Sequence, residues 1–421
     1  MCKIAKIVAR EVLDSRGHPT VEAEVHTVGR AWGRAIVPAG ASTGAAEAFE
    51  LRDAGQDRFD GRGVSQAVAN VRETIAPALV GYDALDQRAI DARLLALDGS
   101  CDKRQLGGNA LLAVSLAVAH AAAAARGVPL FRHLHELVKQ HDPGAPDPRM
   151  PLAMVNMISG GLHAGGNLDF QDFMVMPIGA PNLGVALEWV SRIHHRLGAL
   201  LASAGHEGRL VADEGGFGPR LANNREAVEF LVRAIEAAEL KPGRDVTIAL
   251  DVASTHFYDG ASYRMLATGD ARFNSGEMID CMAALVEQFP ITSIEDPLAE
   301  DDWSGWQELT SRLGMRVRLV GDDLFTTNVE RLRKGIQLGT ANSILIKLNQ
   351  IGTLTETLDA IRVARGAGYG YIVSARSGET EDTTIADLAV ATAADMIKIG
   401  SIVRGERLAK YNQLLRIAEE L

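Results

Sequence analysis

Residues 291–297 read ITSIEDP, a short apolar run that ends in two acidic residues and a proline. Six other short runs beyond residue 210 also end in polar residues: VADEGG (211–216), TIALDVAS (247–254), RLVGDD (318–323), SILIKLNQ (343–350), YIVSARSGE (371–379) and MIKIGS (396–401). From residue 318 onward the runs recur about every 25 residues, with helical patterns between them. Alternating βα units predict a parallel sheet, and seven or more in one domain favour a closed βα barrel over an open sheet.

The first third of the chain has a different pattern. Strands are predicted at 3–13, 20–28 and 31–37, so close together that we expect an antiparallel meander. Helices are predicted at 64–76, 84–96 and 108–125, with Gly127 as the C-cap of the last. A stretch with three prolines, 141–149, marks a domain boundary. We therefore predict an α/β protein with an N-terminal α+β domain at 1–141 and a βα barrel at 150–421.

Composition excludes several classes of function. The 421 residues include 43 Lys and Arg against 54 Asp and Glu, a net charge of −11, with only 5% aromatic residues. Such a chain lacks the positive field and stacking surfaces of nucleic-acid-binding proteins, and it does not suit an anionic membrane. Its three cysteines are scattered and no signal peptide is read at the N-terminus. We expect a cytoplasmic protein whose partner is a small molecule.

Three acidic residues end three of the predicted strands: Asp251, Glu295 and Asp322. In a βα barrel the working residues gather at the carboxyl ends of the strands. Each carboxylate alone is explained as well or better by capping of the next helix. Three that converge would repel one another unless a cation lay between them, and ligands that are all oxygen favour Mg²⁺. The set of three therefore predicts a metal site.

Basic and glycine-rich segments complete the predicted mouth of the barrel. Lys347 and Lys398 also end strands. For either lysine alone, a side chain that only extends to solvent is about as good an explanation as a functional role. A lysine that faces a metal, however, can act as a general base. Arg376 and Ser377, before a glycine, suit an anion, although Arg376 could instead form a surface ion pair. The segment 38–44 lacks the lysine of a P-loop and reads better as a mobile lid. His163 lies in a second glycine-rich loop, GGLHAGG.

Nine motifs together resemble those of the enolase family, in collinear order from about residue 3 to the C-terminus: DSRGHPTVE, PAGASTG, GGLHAGG, DEGGF, SIEDPLAEDDW, GDDLFTTN, ILIKLNQIGT, SARSGETED and GERLAKYNQLLRI. The resemblance implies an enolase-type barrel capped by the N-terminal domain, and a homodimer or larger homo-oligomer with Arg16 at its interface. It also implies two Mg²⁺ ions and an enolate formed by a lysine or histidine base.

The resemblance implies roles for individual residues. Asp251, Glu295 and Asp322 resemble the ligands of the first Mg²⁺, and Ser42, in the lid, resembles the contact to the second.

On the substrate side, Lys347 resembles the base at C2 and Lys398 the group that holds the substrate carboxylate. Arg376 and Ser377 resemble the phosphoryl site, and Gln171 a substrate contact. Glu214 resembles the acid that helps the C3 hydroxyl leave, Asp172 its partner, and His163 a loop residue that closes over the ligand.

Several positions depart from the enolase pattern. Ala375 stands where enolases have an active-site histidine, and Asp172 where they have a glutamate. Ala39 and Ser159 replace the usual serine and asparagine, and Ile399 replaces a threonine. The proton-abstracting half is complete, whereas the changes cluster where the leaving group and phosphoryl group are expected.

We therefore predict an enolase-type lyase with a remodelled substrate. Enolase-like proteins occur in phosphonate and phosphinate biosynthesis, where one is thought to form carboxyphosphonoenolpyruvate, and loss of an imidazole at Ala375 would leave room for the extra carboxylate of that product. The alternatives are an ordinary glycolytic enolase, which converts 2-phosphoglycerate to phosphoenolpyruvate, and a non-catalytic enolase-like binding protein.

Overall fold

The computed structural model describes residues 2–40, 44–55 and 57–421. The chain begins with three antiparallel strands, paired in sequence order: β1 (Ile4–Leu13), β2 (Pro19–Thr27) and β3 (Trp32–Ile36). The short connections leave no room for a crossover, so each strand returns beside the one before it. The predicted meander is confirmed.

Five α-helices follow the sheet: α1 (Ser65–Asn70), α2 (Ala76–Leu79), α3 (Gln87–Asp98), α4 (Gly108–Arg126) and α5 (Leu130–His141). The predicted helix at 64–76 exists, but a π-helical turn at Val71–Ile75 joins its two α-helical parts. Gly127 ends α4 with a φ of 66°, the left-handed conformation expected of a glycine C-cap. Helix α5 was missed, although it buries one face and follows Pro129 directly.

Helix α4 is the central element of this region. It is long and apolar enough to cross a membrane, but most of it is buried and it packs on β2 and β3. Gly33 of β3 permits the close approach, since a Cβ built there would lie 2.1 Å from the backbone nitrogen of Ala121 and 2.6 Å from the carbonyl oxygen of Ala117. The alanine-rich sequence of α4 thus belongs to a core helix.

Eight strands form a closed barrel: β4 (Leu152–Ser159), β5 (Asp172–Met176), β6 (Thr247–Asp251), β9 (Ile291–Glu295), β10 (Arg318–Gly321), β11 (Ser343–Ile346), β12 (Gly370–Ser374) and β13 (Met396–Gly400). They follow one another around the barrel in this order, and β13 pairs with β4 to close it. A small hairpin, β7 (Tyr263–Met265) and β8 (Ala271–Phe273), lies outside the barrel. The predicted barrel is confirmed.

Two details of the barrel prediction were wrong. The run at 211–216 is a loop and not a barrel strand, and the prediction missed β4 and β5. In addition, β5 is antiparallel to both neighbours, so the sheet is not wholly parallel. The cause is the connection at 160–171, a glycine-rich turn without a crossover helix, which sends the chain straight back along β4.

The remaining helices surround the barrel: α6 (Leu183–Ser203), α7 (Asn224–Ala237), α8 (Ser275–Gln288), α9 (Trp303–Leu313), α10 (Val329–Leu338), α11 (Leu348–Ile351), α12 (Leu354–Gly366), α13 (Thr384–Ala391) and α14 (Gly405–Ala418). The N-terminal region reaches the barrel mouth at Ala39, which exchanges two backbone hydrogen bonds of 2.8 and 2.9 Å with Gly378. This contact brings the stem of the predicted lid to the loop after β12.

Candidate active site

The three predicted metal ligands lie on neighbouring strands at the carboxyl end of the barrel. Asp251 and Glu295 are the last residues of β6 and β9 and pair directly in register. Asp322 comes directly after the last residue of β10, the strand next to β9. All three side chains are buried. Burial and the charge of Asp251 raise the pKa of Glu295 well above its usual range, which shows how costly this concentration of negative charge is.

Lys398 crosses the mouth to these carboxylates from β13, on the opposite side of the barrel. Its Nζ lies 2.7 Å from Asp251 Oδ2 and 2.8 and 2.9 Å from the two oxygens of Glu295. Burial disfavours the ammonium form, but the charges of Asp251 and Glu295 outweigh it and raise the pKa of Lys398 well above its usual range. The carboxylates therefore already hold one cationic group.

Lys347, immediately after β11, makes an ion pair with Asp322. Burial lowers the pKa of Lys347, but the negative charges around it, chiefly those of Asp322 and Glu295, together raise it above its usual value. Gln350 donates to the other oxygen of Asp322 at 2.8 Å. Asp296 accepts the backbone amides of Asp322 and Asp323 at 3.0 and 2.7 Å, which fixes the backbone that carries the carboxylate.

The carboxylate oxygens on this side of the barrel mouth suit a hard divalent cation. Carboxylate oxygens of Asp251, Glu295 and Asp322 come from three adjacent strands, and ammonium groups sit against them where positive charge is needed. Mg²⁺ takes oxygen ligands of this kind. The chemistry of the donor set fits the predicted ion, which these three residues would hold.

A second group lies on the β4–β5 side, where His163 stands between two acids. Its Nδ1 lies 3.1 Å from Asp172 Oδ2, and its Nε2 lies 3.9 Å from Glu214 Oε1. Burial lowers the pKa of His163, but the charges of Asp172 and Glu214 outweigh it and raise the pKa to about 9. Burial raises the pKa of Glu214, yet the combined charges of His163 and of the neighbouring Arg407, Lys398 and Lys347 outweigh that and lower it. Burial also raises the pKa of Asp172, although the charge of His163 opposes this rise. These shifts favour a proton on the His163–Asp172 pair at neutral pH.

Asp172 is held by donors that sequence reasoning did not identify. Asn156 of β4 donates to Asp172 Oδ1, and Ser159 donates to the same oxygen at 3.3 Å. Ser159 is one of the positions that depart from the enolase pattern. The Ser159 hydroxyl therefore contacts the carboxylate of Asp172, which is shorter than the usual glutamate. The two departures from the enolase pattern, Ser159 and Asp172, are thus direct neighbours.

Arg376 lies on the far side of the mouth, after β12. Its guanidinium donates to Asn349 Oδ1 at 2.7 Å and to Glu47 at 3.1 and 3.2 Å. Arg407 donates to the backbone carbonyls of Arg376 and Ser377 at 2.7 Å each, which supports this loop from behind. Ala375, buried at the same turn, offers only a methyl group, and its amide donates to the carbonyl of Lys398 at 2.8 Å.

Two family models match the chain. The model described as "Enolase, N-terminal domain" matches residues 4–134, and the one described as "Enolase, C-terminal TIM barrel domain" matches residues 148–421. The chain belongs to the enolase family. Its fold, the barrel with an N-terminal domain, is the one that the sequence motifs implied.

Within this enolase fold, the predicted residues fall into three groups around one mouth. Gln171 joins the acidic group, since its amide donates to Asp251 Oδ2 at 3.3 Å. His163 lies between Asp172 and Glu214, and its predicted closure over the ligand stays a prediction. Ser42, the predicted contact to a second Mg²⁺, lies outside the described residues.

Sequence reasoning missed the residues that hold this enolase site together: Glu47, Asn156, Asp296, Asn349, Gln350 and Arg407. Asn349 and Gln350 stand two and three residues after Lys347, on the short helix α11, so a helical turn could have suggested them. Glu47 belongs to the other domain, and no local pattern links it to Arg376. Such a pairing arises only when the N-terminal region packs on the barrel.

Proposed function

We propose that this enolase-family protein is a Mg²⁺-dependent lyase that removes the C2 proton of a 2-phosphoglycerate-type substrate and forms an enolpyruvyl product. We further propose that it is specialised for carboxyphosphonoenolpyruvate, as part of phosphonate or phosphinate biosynthesis. The substrate is then glycerate whose 2-oxygen carries a phosphorus bearing a carboxylate. Loss of water from C2 and C3 gives the product, and the ester to phosphorus stays intact.

Lys347 is the proposed base. Its amine takes the C2 proton, and the electron pair of that bond becomes the new C2–C3 double bond. Bound Mg²⁺ would stabilise the enolate and neutralise Asp322, the carboxylate that keeps Lys347 in its ammonium form. Lys398, opposite, is placed to hold the substrate carboxylate.

The trio of His163, Asp172 and Glu214 is the proposed acid. The C3–oxygen bond breaks as the double bond forms, and the departing hydroxide leaves as water once protonated. The raised pKa of His163, about 9, means that the trio carries a proton at neutral pH. The protonated trio, rather than Glu214 alone, is thus suited to this step.

Ala375 carries the proposal of specialisation. It lies between the β12 strand and Arg376, buried at the mouth, and offers no hydrogen bond through its side chain. An ordinary phosphoryl group would lose one donor there, and a hydrogen bond to a charged group contributes about 1.5–3 kcal/mol. A phosphorus that carries a carboxylate has an additional anionic group to place beside Arg376.

The proposed assembly is a homodimer or larger homo-oligomer in the cytoplasm, without nucleic-acid or membrane partners. The resemblance to enolases and the acidic composition support this proposal.

The test compares dehydration of 2-phosphoglycerate with that of the carboxyphosphonyl ester of glycerate. We expect the natural protein to favour the carboxylated substrate. The double variant Ala375→His with Asp172→Glu should gain activity on 2-phosphoglycerate and lose it on the other substrate. The matched control makes the same two substitutions at exposed positions, Ala125→His with Asp301→Glu, and should change neither activity. Turnover of 2-phosphoglycerate by the natural protein near a typical enzyme rate of about 10 per second would refute the specialisation.

A further inference from the structure

The guanidinium of Arg376 already holds an anion of the protein itself. Its NH1 lies 3.1 Å from Glu47 Oε2, and its NH2 lies 3.2 Å from Glu47 Oε1. The Arg376 and Glu47 side chains are only 2% and 9% exposed. A two-point pairing of this kind is the geometry with which arginine also binds phosphate and phosphonate groups. Glu47 therefore uses the same donors that an anionic ligand would need.

The other contacts of Glu47 complete an anion-binding arrangement. Its Oε1 also accepts the backbone amide of Gly44 at 3.1 Å and the side-chain amide of Gln350 at 3.3 Å. Gln350 in turn bonds to Asp322, one of the proposed metal ligands, at 2.8 Å. A carboxylate thus sits among a guanidinium and two amide donors, beside the metal site.

Space for a displaced side chain lies next to Glu47. A cavity of about 240 Å³ is lined by Glu47 together with Pro38, Phe49 and Asn109. This volume is several times that of one water molecule in the liquid, about 30 Å³, so a carboxyl group fits within it. The cavity therefore offers room for the Glu47 carboxyl group away from the guanidinium.

We propose that Glu47 occupies Arg376 in the ligand-free protein and that the phosphoryl or phosphonyl oxygens of the substrate displace it into this cavity. The proposal rests on the proposed function, which takes Arg376 as the phosphoryl site. Glu47 then determines specificity, because a ligand must outcompete a carboxylate for Arg376. A phosphonate or phosphate with two or more negative charges displaces Glu47 from Arg376, whereas a hydroxy acid with a single negative charge does not.

The test measures dissociation constants of inorganic phosphate, phosphonoformate and acetate by calorimetry at fixed Mg²⁺. Glu47→Gln keeps the size of the side chain and removes its charge, so phosphate should bind about tenfold tighter or more. The preference for phosphonoformate over acetate should narrow at the same time. Glu300→Gln is the control: Glu300 accepts the backbone amide of Ala45 at 3.2 Å on the same segment and, among the described residues, forms no hydrogen bond with Arg376. It should leave these constants unchanged.

The outcomes separate the two proposals. Equal or weaker phosphate binding by Glu47→Gln would overturn the role of Glu47 and leave it only a residue that positions Arg376. Unchanged phosphate binding by Arg376→Met would instead refute Arg376 as the anion site. Should Glu47→Gln fail to fold, Glu47→Asp serves, because it keeps the charge but withdraws it from the guanidinium. Phosphate should then bind several-fold tighter, and an unchanged constant would contradict the displacement.

Discussion

At the scale of single residues, Lys347 is the residue on which the chemistry of proton removal depends. Lys347→Ala should abolish exchange of the C2 proton with solvent deuterium, because the variant lacks the amine proposed to take that proton. Ligand binding should persist, since Lys398 and Arg376 remain. The measurement is loss of the C2 proton signal by NMR in D₂O. Exchange that continues in the variant would move the base elsewhere, with Lys398 the next candidate.

Asp322 tests the metal site. Asp322→Asn keeps the shape of the side chain but removes a charge, so we expect Mg²⁺ affinity to fall about tenfold or more, measured by calorimetry. Asp301→Asn is a suitable control. It removes the same charge from a side chain that is 78% exposed. Equal Mg²⁺ affinity in the wild type and Asp322→Asn would exclude Asp322 as a ligand.

At the scale of secondary-structure elements, the close contact between β3 and α4 depends on Gly33. Gly33→Ala would place a Cβ within 2.6 Å of three backbone atoms of α4, which no side-chain rotation can relieve. The strand and helix must separate, at a cost of about 1–3 kcal/mol in the free energy of unfolding. Urea denaturation measures this loss.

Gly366→Ala provides the matched control for that prediction. It makes the same substitution in α12, where a Cβ would meet no atom within 4 Å. Because alanine favours a helix over glycine, this variant should be as stable as the wild type or more stable by up to about 1 kcal/mol. A Gly33→Ala protein as stable as the control would show that α4 can shift freely.

At the scale of the whole molecule, two buried histidines make stability depend on pH. Burial lowers the pKa of His133 to about 4, helped by Arg126, and burial lowers that of His194 to about 4, helped by His195. Histidines in the unfolded chain titrate near 6.5, so between about pH 6.5 and 4 the unfolded state binds more protons than the folded state. Stability should therefore fall as the pH falls through this window.

The expected loss at pH 5, relative to pH 7.5, is about 1–2 kcal/mol for each histidine. His194→Phe keeps a ring against Phe217, whose centroid lies 4.5 Å from that of His194, and should reduce the dependence on pH. His206→Gln, which replaces a less buried histidine, should leave the dependence of stability on pH unchanged. Burial raises the pKa of Asp387 to about 7, so this carboxyl group makes stability rise as the pH falls, opposite to the two histidines. The test therefore compares the pH dependence of the variants with that of the wild type. Identical pH slopes in wild type and His194→Phe would contradict the prediction.

The meander and the barrel could be predicted from local patterns in the sequence, and the enolase family from its motifs; the roles of the site residues stay predictions. Apolar runs that end in Asp251, Glu295, Asp322 and Lys347 identify strand ends, and strand ends of a barrel meet at one mouth.

Which of these residues touch could not be predicted from the sequence, because it depends on how distant segments pack. Lys398 reaches Asp251 and Glu295 from the opposite side of the barrel, and Glu47 pairs with Arg376 across 329 positions of the chain. Likewise, β5 is antiparallel because of a turn whose course does not follow from strand patterns. Contacts between distant segments depend on how the elements pack, and local periodicity carries no information about that packing.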